Sequence, residues 1–210
     1  MFDSALQPMQ RRLLDNPARK LARLGVRADW ITLAAFAAGL AGAGLIAAGA
    51  FGWGLVAILA NRLLDGLDGA VARATLPTDR GAFADIALDF AFYALVPLAF
   101  ALADPAANAL AAAVLLAGFA GTGSSFLAFA AIAGRRGPAS PAKGIHYLGG
   151  LTEGAETVAA FVLMCLLPGW FPQIALAFAA ACAVTTVSRW WLGWTAFAEA
   201  AGPPQDRVSR

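Results

Sequence analysis

Four aspartates, Asp65, Asp68, Asp85 and Asp89, lie in a stretch that otherwise reads as two membrane helices. Side chains three or four apart share a helix face, so Asp65 pairs with Asp68 and Asp85 with Asp89, each pair on its own helix. The connection ATLPTDR (74–80) carries Pro77 and is short enough to impose an antiparallel helical hairpin. Both pairs are nearly equidistant from a turn centred near residue 77. At about 1.5 Å per residue they fall at matching depths, roughly 12 to 18 Å from that turn. An isolated carboxylate in a low-dielectric medium costs on the order of tens of kcal/mol in the idealised limit, and four together also repel one another. Arg62 and Arg73 offset part of this at most. Hard divalent cations prefer such oxygen-rich clusters, so the spacing predicts a metal site rather than a structural feature.

The neighbours of the aspartates fit that chemistry. Gly69 follows Asp68 and leaves room for a ligand, Ala72 keeps the same wall thin, and Gly81 opens the next helix without narrowing the mouth. Arg73 stands one turn nearer the hairpin, placed to hold a phosphate that bridges the metals. Carboxylates, divalent metal and an arginine at a lipid–water boundary predict phosphoryl-group chemistry on a lipid.

The chain that must position these residues is a membrane protein by composition. Of its 210 residues 60% are hydrophobic and 13% charged, with mean hydropathy +0.69. A soluble domain would carry roughly a quarter charged residues. Spans of about 20 apolar residues are expected near 30–50, 53–73, 82–103, 107–133, 150–168 and 172–197. The predicted fold is therefore all-α, with six transmembrane helices. Arg11, Arg12, Arg19, Lys20, Arg23 and Arg27 precede the first span, Arg73 and Arg80 flank the hairpin, and Arg135, Arg136 and Lys143 follow the fourth span. Arg207 and Arg210 close the chain, while the connections near Phe51, Asp104-Pro105 and Pro168–Pro172 carry no Lys or Arg. The positive-inside rule then puts both termini and the aspartates on the cytoplasmic side of a bacterial inner membrane. These basic residues follow topology, and no nucleic-acid partner is expected.

Residues 1–27 read as a cytoplasmic juxtamembrane amphipathic segment, residues 28–198 as the six-helix domain and residues 199–210 as a cytoplasmic tail. Phe2, Leu6, Met9 and Leu13 recur at helical spacing beside Gln10, Arg11 and Arg12, the pattern of a helix lying among lipid headgroups. Asn16-Pro17 reads as an N-cap followed by a first-turn proline, and Gly25 as a C-terminal stop. No cleavable signal peptide is expected, because the first apolar run starts at Trp30 behind a long basic segment. Gly39, Gly42 and Gly44, and Gly118, Gly121 and Gly123, predict close helix packing. The run GFAGTG (118–123) has no strand before it and does not predict nucleotide binding. Cys165 and Cys182 read as small hydrophobes, and residues 134–149 as a cytoplasmic loop.

The run Asp65-x-x-Asp68-Gly69-x-x-Ala72-Arg73, seven residues, then Gly81-x-x-x-Asp85-x-x-x-Asp89 resembles the complete motif of the CDP-alcohol phosphotransferases. Six spans behind a juxtamembrane helix resemble that family's architecture, and a GLTEG segment (150–154) resembles a little-characterised bacterial subgroup. The resemblance implies an enzyme of phospholipid biosynthesis. It would move a phospho-alcohol group from a CDP-linked lipid, in such bacterial members usually CDP-diacylglycerol, to a small alcohol and release CMP. It implies Asp65, Asp68 and Asp85 as principal ligands of two Mg²⁺ or Mn²⁺ ions, with Asp89 contacting the second ion and taking the acceptor's proton. Gly69, Ala72, Arg73, Gly81 and Thr78 would line the CDP site. Asp29 and Thr32 match further nucleotide-binding positions, although Ala28 stands where the family often has Pro. A homodimer among membrane lipids is also implied.

The acceptor is less legible. Glu153 and Glu156, three apart at the entry to the fifth span, are expected to share a face, and Arg189 inside the sixth span should face the bundle. They, with Arg135 and Arg136, are candidates for acceptor binding, against a structural Glu–Arg pair and against topology. His146 reads as loop packing rather than catalysis. Two rivals remain at this level: an intramembrane prenyltransferase and an ion or metal transporter. The glycine and Ala-Arg spacing counts against the first, and the one-sided placement of the carboxylates counts against the second.

Overall fold

The computed structural model describes residues 2–136 and 151–198, with side chains from Leu13 onward. Lys143, His146, the loop around them and the tail from residue 199 lie outside the described residues, as do the side chains of Phe2, Leu6 and Met9. Seven α-helices follow in order among the described residues: α1 (Phe2–Arg23), α2 (Ala28–Ala47), α3 (Phe51–Ala74), α4 (Asp79–Ala103), α5 (Pro105–Arg136), α6 (Gly154–Leu166) and α7 (Phe171–Ala196), with a 3₁₀ turn at Pro168–Trp170 before α7. The fold is all-α as expected. Four of these segments, α2, α4, α5 and the 3₁₀ turn with α7, are long and apolar enough to cross a membrane.

That number is smaller than the six expected, for two physical reasons. Helix α3 has 24 residues, ample length, but Arg62, Asp65, Asp68 and Arg73 load it with charge from its middle onward. Helix α6 has 13 residues, about 20 Å at 1.5 Å per residue, short of the roughly 30 Å of a bilayer's hydrocarbon.

Tight connections set the order. Helices α2 and α3 meet through Gly49 at φ +77°, where Gly49 N–H bonds the Ile46 carbonyl at 2.9 Å and Ala50 N–H reaches Leu45 at 2.8 Å. This paired αL stop needs a residue without Cβ. Gly25 ends α1 in the same way at φ +76°, as the sequence predicts. Asn16-Pro17, however, lies inside α1 rather than at its start. Leu14, Ala18 and Leu21 pack on Ile31, Ala70 and Val71, so both sides of the proline dock on the bundle as one helix.

Packing at one end of the bundle is aromatic: Phe51 stacks on Phe100 at 5.5 Å and Phe100 on Phe171 at 4.5 Å. At the other end Arg136 of α5 donates to the Ala196 and Phe197 carbonyls at 3.4 and 3.3 Å, closing the end of α7. The larger core joins α2 to α7 in the aromatic half, and the smaller one joins α1, α2 and α3. The aspartates lie between the two. Gly39 and Gly42 face Phe92 and Gly54, and Gly118, Gly121 and Gly123 face Cys182, Thr186 and Phe90, as close packing predicts; a Cβ on Gly44 would meet nothing within 4 Å. Cys165 and Cys182 are free and buried.

Candidate active site

The hairpin forms as the spacing dictates. Helix α3 ends at Ala74, and α4 starts after Thr78, whose hydroxyl accepts from Gly81 N–H at 3.0 Å as an N-cap. Asp65 and Asp68 on α3 and Asp85 on α4 then bring carboxylate oxygens within 4.8 Å of one another. Asp68 is 4% exposed, and its Oδ2 is buried with no hydrogen-bond partner. A buried carboxylate oxygen left bare is costly, whereas three converging carboxylate oxygens suit a hard divalent cation. The residues present therefore fit a metal ion.

Asp89 stands beside this triad. Its Oδ1 accepts from Arg62 Nη2 at 2.6 Å, while Arg62 Nη1 reaches Asp65 Oδ2 and the Tyr93 hydroxyl, both at 3.4 Å. Arg62 is fixed from behind. Its Nε donates to Asn61 Oδ1 at 2.7 Å, Asn61 donates to the Ala35 carbonyl at 2.7 Å, and the guanidinium carbon lies 4.6 Å from the Phe92 ring centre. Asp65, Asp85 and Asp89 line one small space of about 10 Å³ with Thr32, Asn61 and Arg62. That is the scale of a single water or ion.

A larger cavity of about 460 Å³ opens above the triad between α2, α3 and α4. Asp68 and Asp85 form part of its lining, and every residue the family resemblance assigned to the CDP site is there: Asp29, Thr32, Gly69, Ala72, Arg73, Thr78 and Gly81. A Cβ on Gly69 would come within 3.3 Å of the Arg73 guanidinium, and one on Gly81 within 3.1 Å of the Thr78 hydroxyl. Asp29 is held by Arg27 Nη2 at 3.0 Å and by Arg80.

The acceptor candidates separate. Glu153 and Arg189 line a second cavity, between α4, α5, α6 and α7. Glu156 lines a groove between α6 and α7 instead. The expectation of a shared face fails because Glu153 is the N-cap of α6, with extended backbone at φ −103° and ψ −175°, so helical spacing does not yet apply. Arg135 is exposed at the end of α5, and Arg136 lies over the Phe197 ring at 5.0 Å beside the carbonyls it bonds. Neither lines these cavities.

Sequence reasoning gave Arg62 only a partial role in charge balance and gave Tyr93 and Arg80 none at the site. The signals were present: Arg62 is three residues before Asp65, on the same face, and Arg80 adjoins Gly81 of the motif.

Residues 26–199 match the family model described as CDP-alcohol phosphatidyltransferase. The chain belongs to this family. It is thus a CDP-alcohol phosphotransferase, a multi-pass membrane transferase of phospholipid synthesis. It is 51% identical over 197 residues to the Escherichia coli K12 protein named inner membrane protein YnjF, covering 92% of this chain and 96% of that one. The fold is shared with the crystal structure of Mycobacterium tuberculosis phosphatidylinositol phosphate synthase (PgsA1) with CDP-DAG bound, at TM-score 0.71 and 22% identity. That match covers 95% of this chain and 100% of the other.

Proposed function

We propose that this CDP-alcohol phosphotransferase moves the phosphatidyl group of CDP-diacylglycerol to a small alcohol at the cytoplasmic face of a bacterial inner membrane. The observation that carries the reading is the junction of the two spaces. The convergent triad of Asp65, Asp68 and Asp85 opens directly into a cavity lined by Arg73 and the motif glycines. A CDP-linked lipid seated there has its diphosphate between Arg73 and the carboxylates, and Gly69 and Gly81 let it approach the backbone. Asp89 accepts the proton of the incoming hydroxyl. The acceptor oxygen bonds to the phosphorus that carries the lipid, the bond from that phosphorus to the bridging oxygen breaks, and CMP leaves.

Two divalent ions, Mg²⁺ or Mn²⁺, are part of the proposal. Asp65, Asp68 and Asp85 would hold them, with Asp89 at the second, and bound ions would supply charge neutralisation for the diphosphate and the departing CMP. The proposed architecture counts α3 and α6 as spans, giving six, with both termini cytoplasmic, residues 1–27 as a juxtamembrane segment and residues 199–210 as a tail. Asp29, Thr32, Ala72 and Thr78 complete the donor site, and Glu153 and Arg189 line the acceptor site. A homodimer rests on family resemblance, since the packing glycines apart from Gly44 are used within the chain.

The test is purified protein with labelled CDP-diacylglycerol, Mg²⁺ or Mn²⁺ and a panel of alcohols, reading CMP and lipid product. Metal-dependent CMP release with a matching lipid product is expected. Metal transport without CMP release would overturn the reading.

A further inference from the structure

At the hairpin end of the donor cavity a clasp joins the start of α2 to the start of α4. Asp29 stands in the first turn of α2, just after Arg27 as its N-cap residue, and Arg80 stands in the first turn of α4. Arg27 Nη2, at 3.0 Å, and Arg80 Nη2 both donate to the same oxygen of Asp29, Oδ2. The other oxygen, Oδ1, lies 3.5 Å from the position a Cβ would take on Gly81. One side of the carboxylate is thus committed to the clasp, and the other is turned toward the bare backbone of Gly81. Arg27, Asp29 and Gly81 line the donor cavity, whereas Arg80 is not among its described lining residues. Arg80 reaches Asp29 from outside.

Helix stability does not ask for Arg80 at this position. A cation in the first turn of a helix opposes the helix dipole, and Asp79 beside it is the residue that suits that end. The positive-inside rule counts basic residues in a connection without fixing where they point. With side chains 66% and 71% exposed, Arg27 and Arg80 add little to stability as ion pairs. What two donors on one oxygen do is orient the carboxylate, which otherwise turns freely about its side-chain torsions. An ionised carboxylate only accepts hydrogen bonds, so Oδ1 faces the cavity as an acceptor. The donor groups of a CDP nucleotide that suit it are the cytosine amino group and the ribose hydroxyls. We infer that Arg80 is a positioning residue of the donor site, holding Asp29 by Oδ2 so that Oδ1 meets a hydrogen-bond donor of the nucleotide. This rests on the proposed reading of the cavity as the donor site and adds the residue that sets its nucleotide contact.

The experiment is calorimetric binding of CDP-diacylglycerol with Mg²⁺ to the purified full chain, read beside the thermal midpoint. Arg80→Gln should weaken binding by roughly 10-fold, the scale of one hydrogen bond to a charged group. The midpoint should not move, and Arg80→Lys should restore part of the affinity. In an Asp29→Ala background the same Arg80→Gln change should cost nothing further, because the two residues act as one unit. Competition by UDP and by CDP analogues lacking a ribose hydroxyl separates base from sugar. The analogue without the contacted group should lose about as much affinity, relative to CDP, as Arg80→Gln loses for the lipid. Unchanged affinity in Arg80→Gln overturns the inference. An equal loss with and without Asp29 also does so, since Arg80 would then meet the diphosphate directly. A loss that comes with a lower midpoint and is not restored by lysine makes Arg80 structural, and competitors that all bind alike remove the Oδ1 contact. Each of these outcomes leaves donor binding standing. No binding of CDP-diacylglycerol by the unaltered chain overturns the donor-site reading, and the inference with it.

Discussion

Arg62 couples the two helices of the site. One guanidinium reaches Asp65 on α3 at 3.4 Å and Asp89 on α4 at 2.6 Å, and its side chain is 15% exposed. The planar fork suits two carboxylates at once, whereas an ammonium is a point charge. Bonds to charged groups are worth roughly 1.5–3 kcal/mol, so Arg62→Gln should lower kcat by about 10- to 100-fold. Steady-state kinetics should show the donor KM nearly unchanged, because Arg62 is absent from the donor cavity lining, with partial recovery in Arg62→Lys. A rise in donor KM with kcat intact would contradict that assignment. The carboxylates should separate by role in the same assay. Asp89→Asn removes the proposed base, a loss of roughly 10²- to 10⁴-fold in transfer, yet should still bind CDP-diacylglycerol. Asp68→Asn should instead raise the metal concentration needed for half-activity, because Asp68 Oδ2 is the bare buried oxygen of the triad. Near-normal turnover by Asp89→Asn would sink the base assignment.

At the scale of helices, small residues decide how close α2 and α3 come. A Cβ on Gly54 would sit 2.5 Å from the Ile46 side chain and 3.3 Å from the Gly42 carbonyl oxygen. In lipid the helices are held by such packing rather than by expulsion of water. Overpacking costs about 1–3 kcal/mol, so Gly54→Val should lower the thermal midpoint in detergent, while Gly44→Val, with nothing within 4 Å of its Cβ position, should not. Equal midpoints for the two variants would contradict the packing argument. The hairpin was legible from sequence because two pairs of aspartates and a proline-bearing turn leave one antiparallel solution. Other features depend on neighbours that spacing does not reveal. Asn16-Pro17 carries a helix-start signal, yet docking of Leu14 and Leu21 against α3 keeps α1 continuous. Glu153 and Glu156 have helical spacing, but the helix begins between them, at Gly154. Arg62 has the right offset from Asp65, but its bond to Asp89 crosses between helices and needs the hairpin's actual register.

For the whole molecule, the site's position and the chain's charge asymmetry point to one side. The ends of α3 and α5 and the start of α4 carry Arg73, Arg80, Arg135 and Arg136, and the donor cavity opens at that same hairpin end. Exposed tryptophans mark both ends of the bundle: Trp30 with Trp190, Trp191 and Trp194 at the charged end, Trp53 and Trp170 at the aromatic end. Such rings favour the two membrane–water interfaces, so the bundle has two belts and crosses the bilayer with the cavity at one of them. For the proposed reaction the charged end is the cytoplasmic one, the side that the positive-inside rule favours for these arginines. The two ends can be labelled separately, since Cys165 and Cys182 are buried and give little background. A cysteine at Ala106, just after the connection between α4 and α5, should react with a membrane-impermeant maleimide on intact cells. One at Leu76, 80% exposed in the hairpin, should react only after permeabilisation. Leu76 also lines the donor cavity, so CDP-diacylglycerol should slow that second reaction. The reverse labelling pattern would turn the protein over in the membrane, and labelling of both positions from one side would remove α4 as a crossing helix.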